Sequence, residues 1–251
     1  MLIKVYNYLI KVEYDGTKFV GWQYQKNGQS IQEKLEKVLK KLLKDKIKVI
    51  GAGRTDKGVH ALGQYANFKT KVNIKNGNKF LNSVNHFLKK DLISIININK
   101  KKIDFHSRYN AKERTYSYRI INRLSSLSLD YNKAWHIKKK LNIDLLIKGA
   151  KILEGTHDFS TFRAASCAAK SPIKKMNAVI VKKKMNKDII ITFRSKSFLQ
   201  NQVRSMVGCL VYLAIGKWNI SIFKRKFYSK KRSNCAPPAP ACGLYLIKVR
   251  Y

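Results

Sequence analysis

The order in which hydrophobic periodicity changes along the chain constrains the fold most: a β-α-β-β-α-β succession occurs in the first half and again in the second. From Leu2 to Tyr14, β-branched and aromatic residues roughly alternate and stop at Asp15-Gly16, the pattern of a strand and a turn. Ser30 and Glu33 form an S-x-x-E capping box. Ile31, Leu35, Val38, Leu39, Leu42 and Leu43 then recur at helical spacing, with Lys on the other face. A short strand is predicted over Ile47–Ile50 and a longer alternating one over Gln64–Thr70. Phe80, Leu81, Val84, Phe87 and Leu88 predict a second amphipathic helix, and Leu92–Ile98 a further strand.

The second half follows the same order. Thr115–Ile121 reads as a strand, and Asn142 caps a helix carrying Leu145, Leu146, Ile152 and Leu153 that stops at Gly155. Val179–Val181 and Ile189–Phe193 form a hairpin around Asn186. Val203, Met206, Val207, Leu210, Val211 and Ala214 give a helix ending at Gly216, a further helix lies near Ile222–Tyr228, and Leu244–Val249 is the last strand. No residue-level repeat accompanies this repeated order. The expected class is α+β: two ferredoxin-like units, residues 1–110 and 111–251, with antiparallel sheets and helices on their outer faces. Their uncovered faces are expected to meet in a basic central cleft suited to a large polyanion.

Charge bears on that expectation but does not decide it. Lys plus Arg is 53 and Asp plus Glu 14, so the 251-residue chain carries +39, which self-repels in a compact state unless a polyanion screens it. Lys outnumbers Arg 42 to 11 amid abundant Ile and Asn, so drift toward Lys-, Asn- and Ile-rich codons explains the excess equally well. Hydrophobic residues at 45% give a globular composition, not a disordered one. Cys167, Cys209, Cys235 and Cys242 show no C-x-x-C pair and no partner His at zinc spacing, so neither disulfides nor structural zinc are expected. The five His residues do not cluster in sequence, and no metal is assigned. The N-terminus lacks a signal-peptide pattern and the longest apolar stretch, Met206–Ile215, is too short to span a bilayer; a soluble, cytoplasmic protein is expected.

The segment Gly51-Ala-Gly-Arg-Thr-Asp-Lys-Gly-Val-His-Ala-Leu-Gly63 places four glycines and Asp56 between two strands. Its spacing is neither that of a Walker loop nor of a dinucleotide fingerprint. Arg54 and Lys57 beside Asp56 favour its ionised form, which suits a nucleophile or electrostatic group better than an acid. By local chemistry alone, an Asp among glycines reads more readily as an ordinary turn former. Arg204, flanked by Val203, Met206 and Val207 on an otherwise apolar helix, is a charge that needs a partner or a route to solvent.

GAGRTDKGVHALGQ, together with VEYDGTKFVGWQ and its following SIQEKLEK, DFHSRY, RTYSYRI, FRAASC, QVRSMVG and GLYLIKVRY, resembles the TruA family of tRNA pseudouridine synthases in order and interval over essentially the whole chain. That resemblance implies isomerisation of uridine to pseudouridine at tRNA positions 38, 39 and 40 of the anticodon stem-loop, by a homodimer, without cofactor or metal. It implies that Asp56 is catalytic, that Arg54 contacts RNA and helps hold the flipped nucleotide, that Tyr116 packs on the target base, and that Arg204 pairs with the catalytic aspartate. It further implies RNA contacts from Phe105, His106, Ser107, Arg108 and Tyr109, and from Ser166, Cys167, Ala168, Ala169 and Lys170. Lys170 stands where the family often has an arginine, which leaves phosphate contact without bidentate geometry. Asn201-Gln202 is a second departure, read as a change in groove contacts. The competing reading is a non-catalytic basic tRNA-binding protein or RNA chaperone on the same scaffold. Retention of Asp56, Tyr116 and Arg204 together argues against it, since a pure binder gains nothing from a carboxylate facing phosphate.

Overall fold

A computed structural model describes residues 4–185 and 188–251, so Leu2, Ile3 and the predicted hairpin apex at Asn186 lie outside the described residues. Contacts group the chain into two compact units: residues up to Lys112 together with Leu246–Tyr251, and Glu113–Tyr245. The architecture is α+β.

The first unit runs β1 (Tyr6–Tyr14), α1 (Ile31–Leu43), β2 (Ile50–Gly51), β3 (His60–Thr70), α2 (Gly77–Leu88) and β4 (Ile93–Lys101). β1 pairs antiparallel with β3 on one side and β4 on the other, with Ile10 opposite both Ala66 and Ile98. It is buried on both faces, Asn7 and Leu9 on one and Ile10 and Val12 on the other being almost fully enclosed. β2 pairs with β3, so the order is β4-β1-β3-β2, which splits the two β-α-β halves as a ferredoxin-like sheet does. The capping box predicted for α1 forms as its sequence requires, the Ser30 hydroxyl accepting from Glu33 N–H at 3.2 Å. In α2 only Val84 and Leu88 of the apolar set are buried; Phe87 is exposed, with the Lys41 ammonium 4.2 Å above its ring.

The second unit contains β5 (Glu113–Asn122), β6 (Trp135–Ile137), α3 (Ile143–Ile152), β7 (Gly155–Asp158), β8 (Ile173–Lys183), β9 (Asp188–Ser195), α4 (Gln202–Ala214) and α5 (Ile220–Tyr228). Its sheet runs β5-β9-β8-β7, all antiparallel, with β6 added parallel to β5. Neither β6 nor β7 is foreshadowed in the sequence, because each is a three- or four-residue segment too short for periodicity to show. Asn142 caps α3 as predicted, accepting from Leu145 N–H at 3.0 Å. Eleven of the thirteen residues of α4 are buried, which explains why it is apolar nearly all round. The last strand, β10 (Leu244–Arg250), begins in the second unit, and from Leu246 onward belongs to the first. No helix among the described residues is long and apolar enough to cross a membrane.

Candidate active site

Asp56 lies on the loop between β2 and β3, half-buried, with Arg54 and Lys57 exposed on either side. What fixes this loop is a chain of contacts that begins at α1. The first N–H groups of a helix have no partner inside it. In α1 they are met by Gly21 O (from Ile31 N–H, 3.2 Å), Trp22 O (from Gln32 N–H, 3.0 Å) and the Ser30 hydroxyl. Residues 21 and 22, held in that way, turn to the loop. Trp22 N–H donates to Thr55 O at 3.0 Å, and Gly21 forms an isolated antiparallel bridge with Asp56 itself.

That bridge depends on glycine. Gly21 has φ +120°, and a Cβ there would lie 2.6 Å from Thr55 O and 3.2 Å from the Asp56 carbonyl carbon. From the opposite side Tyr14 Oη and Thr55 Oγ1 share a hydrogen bond of 2.7 Å, with both residues buried. The stem of the loop is closed by Ala52 N–H to Tyr65 O (2.7 Å) and by the buried Gln64 amide to Gly53 O (2.7 Å). At its far end His60, 3% exposed, accepts from Gly16 N–H through Nδ1 at 3.1 Å. Asp15 Oδ1 is 3.2 Å from the same nitrogen.

The Asp56 loop is thus held by its backbone at Thr55, Asp56 and Val59 and by the His60 imidazole, and Asp56 itself is half-buried. Val59 N–H to Asp56 O at 3.1 Å closes the turn. Tyr14→Phe is expected to destabilise the protein by about 1–2 kcal/mol, the cost of a lost buried hydroxyl bond. Thermal unfolding checks this, and a change of only a few tenths would show that the Tyr14 hydroxyl does not hold the loop.

The other predicted residues divide by burial. In the segment after β4, Ser107 is fully enclosed: its hydroxyl donates to Ile50 O and its N–H to Asn67 Oδ1 at 2.9 Å, while the buried Asn7 amide donates to Phe105 O at 2.9 Å. Ser107 therefore anchors the turn. Phe105 packs on Tyr251 at 5.1 Å. His106 organises the outer part, its Nδ1 accepting from Arg108 N–H at 3.2 Å and its ring lying 4.3 Å from that of Tyr109. Arg108 and Tyr109 face solvent, Tyr109 being 73% exposed with the guanidinium 5.6 Å from its ring.

In the second unit, Tyr116 sits in β5 opposite Phe193 of β9, 7% exposed, its ring edge-on to Phe198 at 5.1 Å. Arg204, half-buried on the first turn of α4, donates through Nε to Ala239 O at 2.7 Å and lies 3.4 Å from Asn201 Oδ1. Asn201 is in the left-handed region at φ 60°, which starts the helix abruptly. The segment Ser166 to Lys170 is tied down by Arg163, whose Nη2 donates to Cys167 O and Ala169 O, both at 2.8 Å. Cys167 is buried, and Ser166, Ala168 and Lys170 are exposed. Burial pushes the Cys167 thiol up, but the N–H groups of Ala169 and Gln200 and the Arg163 guanidinium outweigh it and leave the thiol below its usual range.

Sequence alone assigns no role to Tyr14, Gly21 or Trp22 within VEYDGTKFVGWQ, nor to Arg163 within FRAASC; Gly21, set between Val20 and Trp22, is the one signal there of a close backbone approach. Among the described residues no group of three His, Cys, Asp or Glu side chains is placed to hold a metal ion.

A family model described as "tRNA pseudouridine synthase" matches residues 10–110 and 150–251. The chain is 54% identical to tRNA pseudouridine synthase A of Pelagibacter ubique over 98% of its own length and all of that protein's. It is 43% identical to the proteins of the same name from Maricaulis maris, covering 97% of each chain, and from Neorickettsia sennetsu, covering 96% of this chain and 98% of the other.

Proposed function

The chain belongs to the tRNA pseudouridine synthase family, isomerases that convert uridine to pseudouridine in tRNA, and from that premise we propose that it modifies positions 38, 39 and 40 of the anticodon stem-loop with Asp56 as the catalytic carboxylate. The observation that carries this reading is the Gly21–Asp56 bridge, which holds the backbone of Asp56 on a loop where the residue is half-buried.

The reaction breaks the N1–C1′ bond, turns the uracil and joins C5 to C1′; C5 loses a proton and N1 gains one. Nothing is oxidised or reduced, so positioned side chains suffice. Attack by the carboxylate on C1′, attack on C6, and removal of a sugar proton all require an ionised carboxylate at the ribose of a flipped nucleotide. In this reading Tyr116 stacks on the target base, Arg54 contacts RNA and holds the flipped state, and Arg204 is the charge partner of the carboxylate. Exposed Arg108, Tyr109, Ser166 and Lys170 contact the RNA backbone and bases, and Ser107 and Cys167 act by holding those segments. A homodimer working in the cytoplasm completes the proposal.

Tritium release from C5-labelled uridine in an unmodified tRNA transcript, followed by mapping of the modified position, tests it. Release mapping outside the anticodon arm would overturn the site assignment while leaving the reaction. Affinity for tRNA is expected to fall by about 10³-fold between 50 and 200 mM salt if six or more Lys and Arg contact phosphates. A flat response in a filter-binding titration would assign the +39 charge to composition alone.

A further inference from the structure

Cys209 and Cys235 are 26 positions apart in sequence, yet their sulfurs lie 3.5 Å apart. The approach is built into α4 and the proline-rich segment that follows residues 232–234. Gly208 allows it, because a Cβ there would sit 2.1 Å from Pro237 O. Ala236 N–H donates to Cys209 Sγ at 3.3 Å, and Ala239 N–H to Arg204 O at 3.0 Å, so the segment is laid along the helix. Ser205 and Cys209, four apart, share the helix face it covers. Arg232 donates to the Ser205 hydroxyl at 3.2 Å, and its guanidinium acts on Cys235.

The two thiols are not equivalent. Cys209 is 2% exposed, whereas Cys235 is half-buried. The hydrogen bond from Cys209 and, against the cost of burial, the Arg232 charge hold the Cys235 thiol below its usual range. The same contact and burial push Cys209 up. One reachable, thiolate-prone sulfur beside one protonated sulfur is the arrangement of an attacking and a resolving cysteine.

We propose that Cys209 and Cys235 are a peroxide-sensitive dithiol, a modification site separate from the pseudouridylation chemistry. The Cys235 thiolate attacks a peroxide oxygen, breaking the O–O bond to give a sulfenic acid and hydroxide. The Cys209 sulfur then attacks the Cys235 sulfur, and the hydroxyl leaves with the Cys209 proton as water. In sum two thiols and one hydrogen peroxide give one disulfide and two waters. Closure requires the sulfurs to approach by about 1.5 Å, within reach of side-chain rotation and a small shift of the 235–239 segment. The product clamps that segment, and with it the Ala239 carbonyl that receives Arg204 Nε, onto α4.

The test treats the full-length reduced protein with hydrogen peroxide, quenches in acid, alkylates the remaining thiols and maps the peptides. The expected result is loss of two of the four thiols, with Cys209 and Cys235 in one cross-linked peptide and Cys167 and Cys242 still alkylated at that dose, Cys167 because it is only 8% exposed although its thiol is also held down. Cys235→Ser is expected to keep its other three thiols at the dose that oxidises the wild type. Cys209→Ala is expected to oxidise more slowly, since the hydrogen bond from Cys209 is gone, and to accumulate a sulfenic acid at Cys235, trapped by dimedone. First oxidation at Cys167 or Cys242 overturns the proposal. So does wild-type protein in which Cys235 proceeds to sulfinic acid without the cross-link, and that observation needs no variant to fold.

Discussion

Asp56→Asn is expected to lower pseudouridine formation by at least about 10³-fold while leaving tRNA affinity within a few-fold, since the amide keeps the shape of the side chain and removes only its charge. The loop itself is not expected to move. Its fixed points include the backbone at Thr55, Asp56 and Val59, the His60 imidazole and the Tyr14–Thr55 hydroxyl pair, none of which uses the carboxylate charge. Single-turnover tritium release beside filter binding separates the two effects. Turnover within tenfold of wild type would remove Asp56 from the chemistry. A matching loss of affinity would instead make it a binding residue.

Gly21→Ala is expected to cost about 10²-fold in kcat, although residue 21 lies outside the loop that carries the carboxylate. The added Cβ meets Thr55 O at 2.6 Å in a backbone conformation, φ +120°, that side chains rarely adopt. Relief comes only by separating the two backbones, which moves Asp56, and a displacement of about 1 Å at a reacting group is enough for a loss of that size. Because the loop keeps its other ties, the variant is expected to remain folded, with unchanged far-ultraviolet dichroism and nearly unchanged tRNA affinity. Full activity in a folded variant would mean that the bridge to Gly21 does not position the carboxylate. Gly21→Ala and Asp56→Asn should combine to little more than Asp56→Asn alone, since the first acts through the second.

Much of this was legible along the chain. Ser30 and Asn142 announce their helices because a cap is local chemistry, a side-chain oxygen and an N–H three residues on, and both caps form as read. The doubled β-α-β-β-α-β order survives because period-2 and period-3.6 burial leave traces in any window of ten residues. β6 and β7 leave none, since three or four residues cannot display a period, and they are strands only because β5 and β8 offer them partners.

The site divides along the same line. Sequence by itself determined which residue types are available: a lone carboxylate in a glycine-rich loop between two strands, flanked by Arg54 and Lys57, and an arginine on an apolar helix. Tertiary structure alone decided that the N-terminus of α1 reaches Asp56 through Gly21 and Trp22, that Ser107 is enclosed while Tyr109 faces solvent, and that Cys235 lies against Cys209. Capping and periodicity act within a few residues, so they can be read along the chain. Backbone approach, burial and thiol pairing join positions tens of residues apart, and only packing the chain into its sheets and helices brings them within bonding distance.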